Sequence, residues 1–452
     1  MREDRCAKFR PGVSLCVGPP ERLCPAARPD REEERRAVTT HASTLPPRDR
    51  IVDFDSRYSW IRLGICVLLS TIGSVGIWSV VVVLPAVQAE FVVSRADASL
   101  PYTLTTIGFA FGSILMGRLS DRFGIVLPVT GAALSLGCGY IASGLATSLW
   151  QFALAHALLI GLLGSSATFG PLMSDISHWF VRRRGFALAS CASGNYLAGV
   201  VWPPVVQHFV SSQGWRLTHI GIGLFCVATM LPLALALRRR LPADGHALAH
   251  RGPPSAPRDL GLRPNTLQAL LAIAGIACCV AMAMPQVHIV AYCGDLGFGI
   301  ARGAEMLSLM LGFGIVSRIA SGWIADRIGG AATLLLGSVL QTVGLFLYLV
   351  FDGLVSLYLV SALFGLFQGG IVPSYAIIVR EYFPPRETAT RVGIVLMASL
   401  FGMAFGGWMS GAIFDYAGSY RAAFAAGIAW NLINVAIVLR LIVRPGRRVV
   451  HA

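Results

Sequence analysis

The length of its apolar runs limits this chain more than any other feature. Twelve predominantly apolar stretches, most near 20 residues, follow one another between residues 63 and 443. About 20 such residues, wound as a helix, cross the roughly 30 Å of hydrocarbon in a bilayer. In that medium an unpaired backbone amide is costly, so each run must close its hydrogen bonds within itself as an α-helix. The expected spans are 63–86, 100–117, 125–145, 150–172, 185–209 and 216–237, then 266–291, 304–322, 331–351, 355–378, 391–414 and 420–443. Composition agrees: the 452 residues are 55% hydrophobic and only 13% charged, where soluble domains carry about 25% charged residues. That excludes a soluble enzyme, and no Walker loop, HExxH or GxSxG sequence suggests catalysis.

The net charge of +14 is distributed by topology and is not gathered into a nucleic-acid surface. Nineteen arginines fall in one set of loops, from Arg118 and Arg122 through Arg182 to Arg184, Arg238 to Arg240 and on to Arg448. The opposite loops hold four: Arg95, Arg216, Arg302 and Arg421. Basic residues accumulate on cytoplasmic loops, so both termini and the central connector are expected in the cytoplasm. The chain then divides into a disordered tail (1–57), a six-helix half (58–240), a Pro-rich basic linker (241–264), a second six-helix half (265–444) and a short tail (445–452). The ten cysteines form no CxxC pair and read as free thiols. No metal or cofactor is expected.

One octet organises both halves. Gly117-Arg-Leu-Ser-Asp121-Arg122-Phe-Gly124 recurs as Gly322-Trp-Ile-Ala-Asp326-Arg327-Ile-Gly329, each copy between two apolar runs. A repeat at equivalent places marks an internal duplication. The expectation is a tight turn whose terminal glycines permit positive φ and whose aspartate lies near the positive end of the following helix. The paired octets resemble the signature of the major facilitator superfamily of transporters, over roughly residues 58–444. That resemblance implies an all-α polytopic membrane protein with 12 transmembrane helices in two pseudo-symmetric six-helix halves. It also implies that the octets latch the cytoplasmic side when the transporter opens outward; the alternative is a capped turn with no gating role.

The segment Ser177-His-Trp179-Phe180-Val-Arg182-Arg183-Arg184-Gly185-Phe186-Ala187 is similar to the loop between helices 4 and 5 in the branch of monocarboxylate transporters and oxalate–formate exchangers. In that branch an arginine of helix 8 is taken to face the substrate carboxylate, and Arg318 resembles it in position. A guanidinium suits this work, because its planar fork matches a carboxylate in two places. The competing reading is that Arg318 snorkels to the interface. Two departures narrow the cargo: Gly314 stands where mammalian-type relatives place an aspartate, and span 11 has no basic residue. A single anionic group with an apolar body remains.

Uncharged or weakly basic groups within the spans complete the candidate site: Asn195, Gln341 and Gln368, with His288 and Trp78. Each could equally serve helix packing. The function expected is secondary transport of a small monocarboxylate-like anion by alternating access, with a proton or counter-anion as coupled partner. The alternative is efflux of lipophilic or aromatic compounds. The expected location is the bacterial inner membrane.

Overall fold

A computed structural model describes residues 55–180, 183–239 and 261–443. The expected N-terminal tail up to residue 54, nearly all of the linker and the residues from 444 onward lie outside the described residues. The regular structure described is entirely helical. Span 1 is Arg57–Gly73 plus Val75–Phe91, span 2 Arg95–Phe123, span 3 Val126–Gly144 and span 4 Leu149–Trp179. Spans 5 to 8 are Arg184–Gln213, Trp215–Ala236, Pro264–Asp295 and Ile300–Ile328. Gly330–Val350, Leu354–Tyr382, Pro385–Ala417 and Tyr420–Val443 complete the twelve. Eleven of these are long and apolar enough to cross a membrane on their own account. Span 5 is the exception: it carries Asn195, Gln207 and His208 and packs along spans 1 and 8.

The helix boundaries follow from local chemistry. The hydroxyls of Ser56, Ser94 and Ser148 accept from the N–H groups of Ser59, Asp97 and Gln151, satisfying donors that a helix start leaves unpaired. Spans 2 and 8 end on Gly124 (φ 82°, ψ 168°) and Gly329 (φ 84°, ψ 163°). The duplication read from the octets therefore extends to backbone geometry.

The octets are not loops, however. Span 2 stays helical to Phe123 and span 8 to Ile328, so only the last glycine of each octet takes positive φ. Asp121 and Asp326 sit in the last turn of their own helices. At the start of span 9 the carboxylate that caps Gly330 N–H, at 3.0 Å, belongs to Glu381 of span 10. The expectation that Asp326 serves that helix start is thereby corrected: a neighbouring span has taken the position.

Spans 2, 5, 6 and 7 run through Pro101, Pro203 and Pro204, Pro232 and Pro285 without a break. Interruptions fall instead at Ser74 in span 1, between Gly164 and Phe169 in span 4, and at Gly369–Gly370 in span 10. Span 4 is also wound as a π-helix over Ala155–Gly164.

The halves meet along a seam made by span 2 on span 11, span 5 on span 8 and the outer part of span 1 on span 7. Tyr102 lies over Gly407, Thr103 donates to the Ala404 carbonyl at 3.0 Å, and Leu311 fills the space over Gly199. The inner segments of spans 4 and 10, Gly170–Trp179 and Ile371–Tyr382, pack within their own halves. The seam is thus closed at the end bearing Arg95 and parted at the end bearing the octets.

Candidate transport site

The breaks in spans 1 and 10 lie against the seam spans 5 and 8, and that in span 4 packs within its own half; broken helices leave backbone groups that side chains must satisfy. Ser165 of span 4 donates to the Gly73 carbonyl at 2.7 Å, and Trp202 of span 5 donates to the Thr71 carbonyl at 2.8 Å. Asn195 Nδ2 donates to Ser74 Oγ at 3.2 Å, and the Trp78 indole donates to the Asn195 carbonyl at 3.1 Å. Ser74, Trp78 and Asn195 are thereby held together at the break in span 1.

Arg318 comes to the same region from the other half. Its guanidinium lies 4.2 Å from the centre of the Tyr196 ring, a cation–π contact. Nη1 donates to the Ala192 carbonyl at 3.3 Å, and Nε reaches the Gly369 carbonyl at 3.5 Å, at the break in span 10. Gly314, one turn away, leaves the room that the Tyr196 ring occupies. The side chain is half-buried and turned toward span 5 across the seam. Among the described residues no carboxylate pairs with it. Next to Gly369, Gln368 is fully buried, and neither its oxygen nor its nitrogen has a partner. A cation, an unsatisfied amide and two helix breaks make a polar locus in an otherwise apolar seam. Four of the six candidate residues, Arg318, Asn195, Gln368 and Trp78, therefore gather around spans 1, 5, 8 and 10, whereas Gln341 of span 9 donates to the Cys278 carbonyl of span 7 at 3.1 Å.

His288 does not join them. It belongs to a network that closes the far end. Its Nε2 contacts the Gly407 carbonyl at 2.8 Å and its Nδ1 the Tyr420 hydroxyl at 3.0 Å. The same hydroxyl accepts from Arg95 Nη1 at 3.2 Å, and Arg95 Nη2 pairs with Asp295 at 3.0 Å. The Asp415 carboxylate accepts from the N–H groups of Arg95 (2.8 Å) and Ala96 (2.7 Å). A span 11 carboxylate thus caps the positive end of span 2 across the seam. The octets do nothing comparable here: Gly117 and Gly322 face open space, and Asp121, Arg122, Asp326 and Arg327 are exposed.

Sequence reasoning missed Tyr196, Arg95 and Asp415 as partners. Tyr196 sat directly after Asn195, where an aromatic within arginine reach was a usable signal. The Asp415 cap joins residues more than 300 positions apart and leaves none.

A family model described as Major Facilitator Superfamily matches residues 65–356 and 306–451. The chain is 28% identical over 349 residues to monocarboxylate transporter 13 of Bos taurus, covering 75% of this chain and 79% of that one. It is 26% identical over 349 residues to the agnestins efflux protein of Paecilomyces divaricatus, covering 74% and 76%. Among solved structures, a bacterial homolog of the human lysosomal transporter Spinster superposes with a TM-score of 0.69 at 16% identity, over 86% of this chain and 98% of that one. The nucleoside transporter NupG gives 0.68 at 14% identity, over 85% and 99%.

Proposed function

Because the chain belongs to the major facilitator superfamily and is an integral membrane transporter, we propose that it carries a small monocarboxylate-like anion by alternating access. The observation that carries this reading is Arg318, whose partners are an aromatic face and two carbonyls. A guanidinium without a counter-charge is costly in a low-dielectric seam, and an arriving carboxylate offsets part of that cost. Its fork binds the carboxylate, while Asn195, Gln368 and Trp78 orient the remainder of the ligand. Halves that rock about such a midplane site, with its interrupted helices, expose it to each side in turn. The octets, whose Asp121, Arg122, Asp326 and Arg327 are exposed in this state, engage when the inner end closes. The arginine bias supports cytoplasmic termini, in the plasma membrane, which for a bacterium is the inner membrane. A proton or counter-anion is the coupled partner.

The test is uptake of labelled short monocarboxylates into proteoliposomes by wild type, Arg318→Gln and Arg318→Lys. Charge-assisted hydrogen bonds contribute about 1.5–3 kcal/mol, so Gln weakens apparent affinity roughly ten- to a hundredfold. Lys is impaired as well, since an ammonium offers no planar fork. Normal carboxylate flux in the Gln variant overturns the reading. The efflux protein among the relatives supports the second reading, export of a lipophilic or aromatic compound. Dye extrusion that persists in Arg318→Gln would then move it ahead.

A further inference from the structure

Away from the seam, the N-terminal half encloses two imidazoles that the transport site does not use. His156 of span 4 and His219 of span 6 are fully buried, with ring centres 5.7 Å apart. Each has one nitrogen engaged and one orphaned. The Ser143 hydroxyl donates to the Tyr140 carbonyl at 2.9 Å, which uses its single proton. The 2.8 Å contact between Ser143 Oγ and His219 Nδ1 is therefore donated by the ring. Thr105 repeats the pattern: its hydroxyl donates to the Pro101 carbonyl at 2.5 Å, and His156 Nδ1 lies 3.5 Å from its oxygen. For His219 this accounting favours the Nδ1–H tautomer, and the longer His156 contact is compatible with the same one. Each ring has a buried Nε2 with no partner, which in that tautomer carries a bare lone pair.

The walls are aromatic. Phe152 lies 4.5 Å from His156 and 5.6 Å from His219, centre to centre. Tyr140 lies 6.1 and 5.3 Å from the two, and Trp215 lies 5.6 Å from His219. Aromatic faces attract a cation, the more so when it is desolvated. Two donor-less lone pairs among such rings, sealed from solvent, match the smallest cation.

We propose that His156 and His219 together form a binding site for one proton, and that its occupancy is coupled to transport. Resting on the transporter reading above, this names the coupled ion and where it binds. The proton comes from hydronium, which leaves as water, when the transport cycle opens the pair to solvent; it adds to the Nε2 lone pair of one imidazole, and no other bond changes. The neighbouring groups are few: the Tyr140 hydroxyl on span 3, bound to Ser79 of span 1 at 2.6 Å, and Thr105 on span 2. Cys226 lies two turns along span 6 from His219, and the Glu90–Arg216 ion pair (2.7 Å) lies beyond Trp215, whose indole donates to Glu90. The link to the seam is short. Ser79 follows Trp78, which holds Asn195, and His156 lies in the π-wound segment that leads to the break in span 4. A change of charge here therefore bears on two of the three interrupted spans.

The experiment has two arms. In the first, the wild-type protein labelled with 15N-histidine in nanodiscs is titrated from pH 8 to pH 4.5. Bare and protonated ring nitrogens give well-separated signals, assigned with His156→Asn and His219→Asn, which keep a polar atom near Nδ1 and remove Nε2. Both buried rings should show Nδ1–H with bare Nε2 at high pH, and the pair should take up one proton in all. Two Nε2–H tautomers, two independent titrations, or none in the range would overturn the proposal. In the second arm, an imposed pH gradient drives labelled monocarboxylate uptake into proteoliposomes. His219→Asn should lose at least tenfold of the gradient-driven uptake, while anion-for-anion exchange changes less than twofold. Equal gradient-driven uptake in wild type and variant would remove the coupling. If no monocarboxylate moves in any protein, the cargo reading fails while the titration still decides the site. If the Asn variants do not fold, the wild-type spectrum alone decides it.

Discussion

Arg62 shows how a single side chain can be bonded on many sides in the fold and yet unmarked in the sequence. Its guanidinium is 2% exposed and binds Asp175 in two places, Nε to Oδ2 at 2.7 Å and Nη2 to Oδ1 at 2.8 Å. It also donates to Tyr58 and to the carbonyls of Leu237 and Arg239, and it lies 4.7 Å from the Trp179 ring. Three segments, span 1, span 4 and the chain leaving span 6, are thus tied at the inner end of the first half. In the sequence, Arg62 falls just before an expected span and Asp175 just after one, so both read as interfacial charges. Nothing local marks a pair 113 positions apart. Removing one partner strands the other charge, which costs about 3–5 kcal/mol, whereas an apolar pair of similar volume is often neutral. Arg62→Met should therefore lower the unfolding free energy by roughly that amount, and Arg62→Met/Asp175→Leu should recover most of it. Denaturant unfolding in detergent measures both, and equal stability of wild type and single variant would contradict the argument.

Span 11 carries two interleaved glycine stripes with different duties. Gly402 and Gly406 face span 7, where an added Cβ would meet the carbonyl oxygens of Ile276 and Val280 at 2.5 and 2.4 Å. Gly407 and Gly411 face span 2, where it would meet the Tyr102 ring at 2.9 Å and the Arg95 carbonyl oxygen at 2.8 Å. Both stripes have the small-xxx-small spacing of close helix packing. Spacing does not name their partners, because it fixes which residues share a helix face but not which helix lies against it. The same limit explains His288, whose residue type suggested chemistry and whose surroundings make it a strut of the far-end closure. Gly406→Val should reduce yield and thermal stability by wedging the second half open. Gly411→Val should fold but hold the far end apart. Asp415→Asn should act in the same direction more mildly, since a carboxylate at a helix start contributes about 0.3–2 kcal/mol. A reporter cysteine at Thr103 in a cysteine-free background would read this: faster labelling from the far side in Gly411→Val and Asp415→Asn, and none of that gain in Gly406→Val.

For the whole molecule, the run lengths and the duplicated octets were enough to obtain twelve spans in two related halves. What they could not supply was the state of the seam, which depends on contacts between halves that no periodicity encodes. The arginine bias has a structural counterpart at the far end, where Arg95, Arg216, Arg302 and Arg421 each pair with a carboxylate. If the octet end is cytoplasmic, an impermeant thiol reagent on intact cells should label a single cysteine at position 352 and not one at 326; the reverse pattern would invert the topology. Arg318 has a further consequence, which is electrical. On this reading an empty carrier swings one unbalanced positive charge through part of the membrane field, and a carrier holding a monoanion without a coupled proton swings none. Exchange of one anion for another should then be indifferent to voltage. Return of the empty carrier is not: an elementary charge crossing 100 mV is worth about 2.3 kcal/mol, up to roughly fiftyfold in rate if the whole field is traversed. With the interior negative, empty carriers are drawn inward, which speeds net export and slows net uptake. Fluxes measured under potassium–valinomycin potentials should therefore reveal a rectifier, and the rectification should vanish in Arg318→Gln.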